Sequence, residues 1–330
     1  MEQRTIRVGL SAILCALVLR LFAAGVPEKL LTRLGQPNIA AFFLSLETGR
    51  DVRFSPSIEA FSPDFMESPA AATVPPTEPS LPSFSDPEEV RIYNASGKSF
   101  DIAALLEKPL QWELRGEEPT VLILHTHTTE SYTKNGETYA ETAAWRTADE
   151  DHNMLSIGKR VQEKLEERGI IAIQDREIHD YPSYNGSYTD ARQSIQAYLE
   201  AYPTIRLVLD LHRDASGGSG GQMRTSAMVD GKPSAQLMVV IGGNHEDYEE
   251  NLSVGLKLHA MLERQHPGVT RPLQIRGAKY NQDLLPGALL IEVGAAGNTR
   301  QEALTAAEAL AEAIGALAGG TEGEAGGNRE

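Results

Sequence analysis

Side chains that can bind a metal ion or move a proton are concentrated at the ends of three apolar segments of this chain. The first segment is followed by His125, His127 and Glu130, the second ends at His212, and the last contains Glu292. Two histidines and one glutamate form the ligand set of many catalytic zinc sites, which keep a fourth position open. We therefore predict a Zn²⁺ site at His127, Glu130 and His212.

The elements that must position these residues alternate between strands and helices. Five short, nearly continuous apolar runs are typical of buried strands: Thr120–His125, Ile170–Gln174, Ile205–His212, Gln236–Gly243 and Ala288–Val293. Four segments have helical periodicity: Asn153–Arg168, Thr189–Ala201, Glu246–Gln265 and Gln301–Leu317. This alternation predicts an α/β domain with a mostly parallel, twisted sheet and helices on both faces. Ligands of such sheets bind at the carboxyl ends of the strands, where the candidate ligands lie.

Three segments flank or precede this domain, which we assign to residues 90–318. Val8 to Val26 is apolar except for Arg20 and is close to the length that spans a bilayer, so residues 1–30 are predicted to be a cytoplasmic tip and an uncleaved membrane anchor. A cleaved signal peptide is the alternative, and both export the rest of the chain. Residues 31–89 are predicted to be an extracytoplasmic Pro-rich linker, and residues 319–330 a disordered tail.

Composition argues against a nucleic-acid partner and against cysteine ligands for a metal ion. The net charge is −16, from 46 acidic and 30 basic residues, and no run rich in Lys and Arg is present. A nucleic-acid partner is therefore not expected. The chain has one cysteine, Cys15, so any metal must be held by histidine and carboxylate ligands.

Four segments of the chain carry a resemblance to a known family. They are LILHTHTTESY (122–132), NMLSIG (153–158), DLHRDA (210–215) and YNQDLLPGALLIEVG (280–294). Together they resemble the stage II sporulation protein P family, cell-wall hydrolases that act in engulfment of the forespore. The catalytic domain of that family is similar to the zinc-dependent N-acetylmuramoyl-L-alanine amidases. The resemblance implies an amidase-like fold, a zinc cofactor and peptidoglycan as the substrate.

The resemblance also implies roles for individual residues. The late glutamate of the amidases falls on Glu292, which would be the catalytic acid and base. In the wider amidase group a carboxylate ligand lies at the start of the first helix, which makes Glu150 the alternative to Glu130. His125 is either a further ligand or a group that orients one. Arg213 and Asn281 are expected to bind the substrate.

Several functions stay open at this point. The resemblance permits cleavage of the amide between N-acetylmuramic acid and L-alanine, and also of stem-peptide cross-links. A different zinc amidohydrolase, for example a carboxypeptidase acting on exported peptides, would keep the site but change the pocket. The non-catalytic alternative is a membrane-tethered module that binds cell wall or a septal complex. The resemblance further implies a membrane partner and a lytic transglycosylase. It also places this protein in the septal or engulfing cell membrane, which it would cross once, with its catalytic domain outside the cytoplasm.

Overall fold

A computed structural model describes residues 90–319, apart from 111–112, 134–144, 182, 216 and 219–220. The strands of this part are β1 Ile92–Asn94, β2 Val121–Leu124, β3 Ala172–Gln174, β4 Leu207–Asp214, β5 Gly217–Gly218, β6 Gly221–Gln222, β7 Ala227–Val229, β8 Lys232–Ser234, β9 Leu237–Gly242, β10 Leu273–Arg276 and β11 Ala288–Ala295. The helices are α1 Ile102–Glu107, α2 Met154–Glu166, α3 Ser187–Ala201, α4 Tyr248–Gln265 and α5 Arg300–Leu317. Short 3₁₀ turns cover Tyr184–Gly186 and Gln282–Leu284.

Seven strands form one central sheet, in the order β1-β10-β9-β11-β4-β2-β3. All neighbouring strands are parallel except β9 and β11, which are antiparallel. The predicted α/β class with a mostly parallel sheet is therefore confirmed. The five predicted strands are β2, β3, β4, β9 and β11, and the four predicted helices are α2 to α5.

The two faces of the sheet are covered by different helices. Because successive residues of a strand point to opposite faces, Leu209 and Leu211 of β4 join a large core formed with α1, α2, α4 and α5. Val208, on the other face, joins a smaller core with α3. The prediction of helices on both faces is confirmed, and both faces need cover because the strands are apolar on both sides.

Local signals fix several element ends. The side chain of Asn153 accepts a hydrogen bond from the Leu155 amide and so begins α2. α5 begins with a reciprocal capping box between Thr299 and Glu302. Asp230 and Gly231 both have positive φ, 49° and 73°, and join β7 to β8 in a hairpin that the Asp-Gly pair predicts.

Some elements were not predicted, and some predictions lie outside the described residues. β1, α1 and β10 span only three, six and four residues, too few to show a clear periodicity. In the described part of the chain, no helix is long and apolar enough to cross a membrane. The anchor predicted in residues 1–30, the linker at 31–89 and the tail from 320 onward lie outside that part.

Candidate active site

One face of the sheet changes from apolar to polar toward the carboxyl ends of β4 and β11. On β4 the face that packs on α3 carries Val208, then Asp210, then His212. In β11, Glu292 lies directly opposite His212 in the parallel register, and so shares its face. The turn after β2 leads into the same edge, because Leu124 pairs with Asp210.

A β-bulge follows Glu292. The register of β11 against β4 shifts between Glu292 and Ala295, and Gly294 between them has φ +73°. A Cβ atom at Gly294 would lie 2.6 Å from the Cβ of Ala235. Bulges of this kind re-aim neighbouring side chains and are frequent beside active sites.

The structure brings the three predicted ligands together. The rings of His127 and His212 lie 5.2 Å apart, at 88° to one another. His212 Nδ1 is 3.7 Å from Glu130 Oε2, and all three residues are buried. Among the residues that the structure describes, however, no three His, Cys, Asp or Glu side chains are close enough as they stand to hold a metal ion.

Two polar atoms at this site lack hydrogen-bond partners among the described residues, His212 Nε2 and Glu292 Oε2, and both are buried. His212 Nε2 nevertheless lies 2.9 Å from Asp210 Oδ1 and pairs with that carboxylate when the imidazole is protonated, so of the two atoms Glu292 Oε2 is the one without a charged partner. Buried polar groups are nearly always satisfied, so unsatisfied ones indicate a place that an ion, water or ligand completes. The two imidazoles of His127 and His212 and the carboxylate of Glu130 fit a zinc site in residue type.

The electrostatics of the site differ from residue to residue. Burial, with help from the neighbouring His212, lowers the pKa of His127 to about 4, which keeps its imidazole neutral. Burial also acts to lower the pKa of His212, but the carboxylates of Asp210, Glu130 and Glu292 outweigh it and raise that pKa to about 9. Burial raises the pKa of Glu292 to about 8, partly opposed by His212.

His125 is buried, and both of its ring nitrogens contact groups of the protein. Its Nδ1 is 3.2 Å from the Leu211 carbonyl oxygen, and its Nε2 is 3.0 Å from Gln174 Nε2. Nδ1 must therefore donate and Nε2 must accept, so both ring nitrogens are used within the protein. These contacts favour the orienting role of the two left open for His125.

The two candidate carboxylates lie in different environments. Glu150 is exposed and forms an ion pair with Arg176. Glu130 is buried, and its Oε2 accepts a hydrogen bond from the Arg213 amide at 3.1 Å. Glu130 is therefore the carboxylate that the structure brings to the histidines.

The two residues expected to bind the substrate are used within the protein. The Arg213 side chain is 2% exposed, and it donates to the carbonyl oxygens of Ser131 and Trp145. Asn281 donates from Nδ2 to the Tyr188 carbonyl oxygen at 2.8 Å and so ties its loop to α3. Both residues thus have partners within the protein, and their role in substrate binding stays a prediction.

Comparison with known proteins identifies the family. A model of the stage II sporulation protein P (SpoIIP) family matches residues 69–315. The chain belongs to this family. The stage II sporulation protein P of Bacillus subtilis (strain 168) is 31% identical over 210 residues, which cover 60% of this chain and 50% of that protein. The chain thus spans about half the length of this SpoIIP relative.

Solved structures with remote similarity are amidases by name. N-acetylmuramoyl-L-alanine amidase AmiC2 of Nostoc punctiforme is 15% identical, with a TM-score of 0.36, over 60% of this chain and 97% of that chain. The CwlD amidase of Clostridioides difficile, in complex with the GerS lipoprotein, is 16% identical, with a TM-score of 0.38, over 60% of this chain and 95% of that chain. At this level of similarity neither structure bears on the chemistry of this SpoIIP-family chain.

Three residues beside the site were not predicted from the sequence. The Tyr184 ring stacks on His127, with centroids 4.4 Å apart and an angle of 14°. Tyr188 packs against both His127 and His212, and burial raises the pKa of its hydroxyl. Arg146 contacts Glu130. The tyrosines in SYNGSY, just before a helix, were the signal available in the sequence.

Proposed function

We propose that this SpoIIP-family protein is a zinc-dependent peptidoglycan hydrolase that cleaves the amide between N-acetylmuramic acid and L-alanine during engulfment. The observation that carries the proposal is the arrangement at one sheet edge. Two histidines and Glu130 are gathered there, and the buried, unpartnered Glu292 shares the face of His212. Family membership supports the cell-wall substrate.

His127, Glu130 and His212 would hold the ion. Zinc sites with two histidines and a glutamate keep an open position for substrate or water, and bound zinc supplies a Lewis acid that polarises the scissile carbonyl. Imidazole binds metal in its neutral form, which is the state of His127. His212, whose pKa the neighbouring carboxylates raise to about 9, would have to release its proton when the ion binds. The Arg213 amide, bonded to Glu130 Oε2, fixes the orientation of that carboxylate.

Glu292 would move the proton. During hydrolysis water adds to the carbonyl carbon, and the carbon–nitrogen bond to L-alanine breaks. Glu292 Oε2 takes a proton from the attacking water and gives it to the departing amine. A carboxyl whose pKa lies near the working pH can perform both transfers, and burial raises the pKa of Glu292 toward that range.

The cellular setting is part of the proposal. The apolar stretch Val8 to Val26 would anchor the protein in the septal or engulfing membrane, with the catalytic residues outside the cytoplasm. The family resemblance supports a membrane partner and a lytic transglycosylase as its companions. A lytic transglycosylase cuts glycan strands, so it would complement an enzyme that removes stem peptides.

The test is product analysis. The full chain in detergent is incubated with peptidoglycan sacculi, and released fragments are identified by mass spectrometry. We expect free stem peptides, which disappear with a chelator, return with Zn²⁺ and are absent for His127→Ala. Release of cross-link fragments, with the stem peptides still on the glycan, would show endopeptidase activity in place of the proposed amidase activity. Binding to sacculi without any release, while zinc is bound, would instead favour the non-catalytic module.

A further inference from the structure

Arg146 holds the carboxylate ligand and the turn before it. Glu130 and Arg146 form an isolated antiparallel bridge, and Arg146 Nη2 lies 3.3 Å from Glu130 Oε1. The second nitrogen, Nη1, donates to Asp180 Oδ2 at 2.5 Å. Asp180 in turn accepts hydrogen bonds from the Thr129 amide and hydroxyl, at 3.1 and 2.6 Å. The guanidinium therefore joins Glu130 to a buried carboxylate that fixes the backbone one residue earlier.

The same guanidinium reaches the first histidine through an aromatic ring. Arg146 Cζ lies 4.8 Å from the centroid of Tyr184, and that ring is stacked on His127. His127 Nδ1 is 3.2 Å from Ser187 Oγ, which leaves Nε2 as the nitrogen that would bind the metal ion. Arg146 thus restrains two of the three proposed ligands, one directly and the other through Tyr184.

We propose that Arg146 is a positioning residue that sets Glu130 and the His127 ring for zinc binding. The inference rests on the zinc site proposed above. A planar guanidinium suits this role because it can bridge two carboxylates and lie against a ring at the same time, which an ammonium group cannot do. Groups that orient metal ligands typically contribute 10–100-fold to metal affinity.

Charge alone predicts the opposite result. A positive side chain next to a cation site repels the cation. If this repulsion were the main effect of Arg146, its removal would tighten zinc binding. Removal of a positioning group weakens binding instead. The sign of the change therefore separates the two roles.

The experiment measures zinc affinity of the full chain by competition with a chromogenic chelator. We expect Arg146→Gln to weaken zinc binding 10–100-fold and Arg146→Lys to weaken it less. Arg160→Gln is the matched control, because Arg160 has a similarly exposed side chain (35% against 30%) and ion pairs with Glu163 and Glu308 on α2 and α5. Its affinity should equal that of the wild type.

A second readout reports ligand geometry. The visible spectrum of the Co²⁺-loaded protein should change in Arg146→Gln and stay unchanged in Arg160→Gln. Zinc affinity that is unchanged or tighter in Arg146→Gln, or a wild type that binds no zinc, overturns the inference. If the wild type binds zinc and releases stem peptides while Arg146→Gln binds zinc normally, this inference fails and the proposed function stands.

Discussion

Replacement of Glu292 by glutamine should make the metal-free protein more stable while it abolishes activity. The carboxyl of Glu292 is buried, and burial raises its pKa from the ordinary value of 4.5 to about 8. Between these two pH values the unfolded chain loses the proton and the folded chain keeps it. The folded state then binds more protons, so the stability of the wild type falls as the pH rises through this window. Glutamine is neutral in both states and lacks this penalty.

The size of the effect follows from the two pKa values. Linkage gives a penalty of about 3 kcal/mol at pH 7 and about 1 kcal/mol at pH 5. These are upper figures, because residual structure in the unfolded chain and relaxation around a buried charge both reduce them. Glutamine has nearly the shape of the protonated acid, so it introduces little strain. The stability advantage of Glu292→Gln should therefore grow by roughly 2 kcal/mol from pH 5 to pH 7.

The assay is urea unfolding of both proteins in chelator at several pH values. Glu302→Gln serves as a control of opposite sign, because hydrogen bonds from Arg224, Asn298 and the Thr299 amide outweigh burial and lower the pKa of Glu302. That variant should lose stability relative to the wild type above pH 4.5. An advantage of Glu292→Gln that is absent, or that does not grow between pH 5 and pH 7, would refute the reasoning.

Activity and zinc provide two further checks on the same variant. Loss of a general acid and base lowers the rate by about 10²–10⁴-fold. A cation near Glu292 favours its ionised form, so added zinc should shrink the stability gap between the two proteins. The wild type would then show a residue kept for its chemistry at the expense of stability.

Two other changes test the fold that holds the site. Gly294→Ala should lower the free energy of unfolding by at least about 1–2 kcal/mol, because φ is +73° there and a Cβ would press on Ala235; an unchanged urea midpoint would contradict a tight bulge beside Glu292. Burial, with help from Lys108, lowers the pKa of Lys257 to about 8. Between about pH 8 and pH 10.5 the folded chain binds fewer protons than the unfolded chain, so wild-type stability should rise over that window relative to Lys257→Met, by roughly 2–3 kcal/mol. Parallel pH profiles of the two proteins would show that Lys257 is not desolvated.

The strands that carry the site were predictable from the sequence because they are buried on both faces. Their long apolar runs located β2, β4 and β11 to within a few residues. The rule that sites lie at the carboxyl ends of strands then predicted which edge of the sheet carries the site. The pairing that places Glu292 opposite His212 comes from the structure, because the apolar runs of β4 and β11 do not specify their register. The zinc itself stays a prediction.

The supports of the site were not predictable in the same way. Arg146 and Tyr184 lie in segments without periodicity. Arg146 contacts Glu130 and Asp180, and Tyr184 contacts His127. The residues of these pairs are 16 to 57 positions apart in the sequence. The same limit applies to Arg213. The predicted strand ends at His212, but β4 continues to Asp214 and carries Arg213 into the interior.

The order of the strands determines when the site can exist during synthesis. β11 is the last strand of the described chain, yet it lies at the centre of the sheet, between β4 and β9. Until it is inserted, the sheet is split into two separate halves and Glu292 is absent from the cluster. A chain still emerging from the ribosome, or one interrupted before β11, therefore has no complete active centre. Under the proposed function, catalytic competence would have to wait for the insertion of β11.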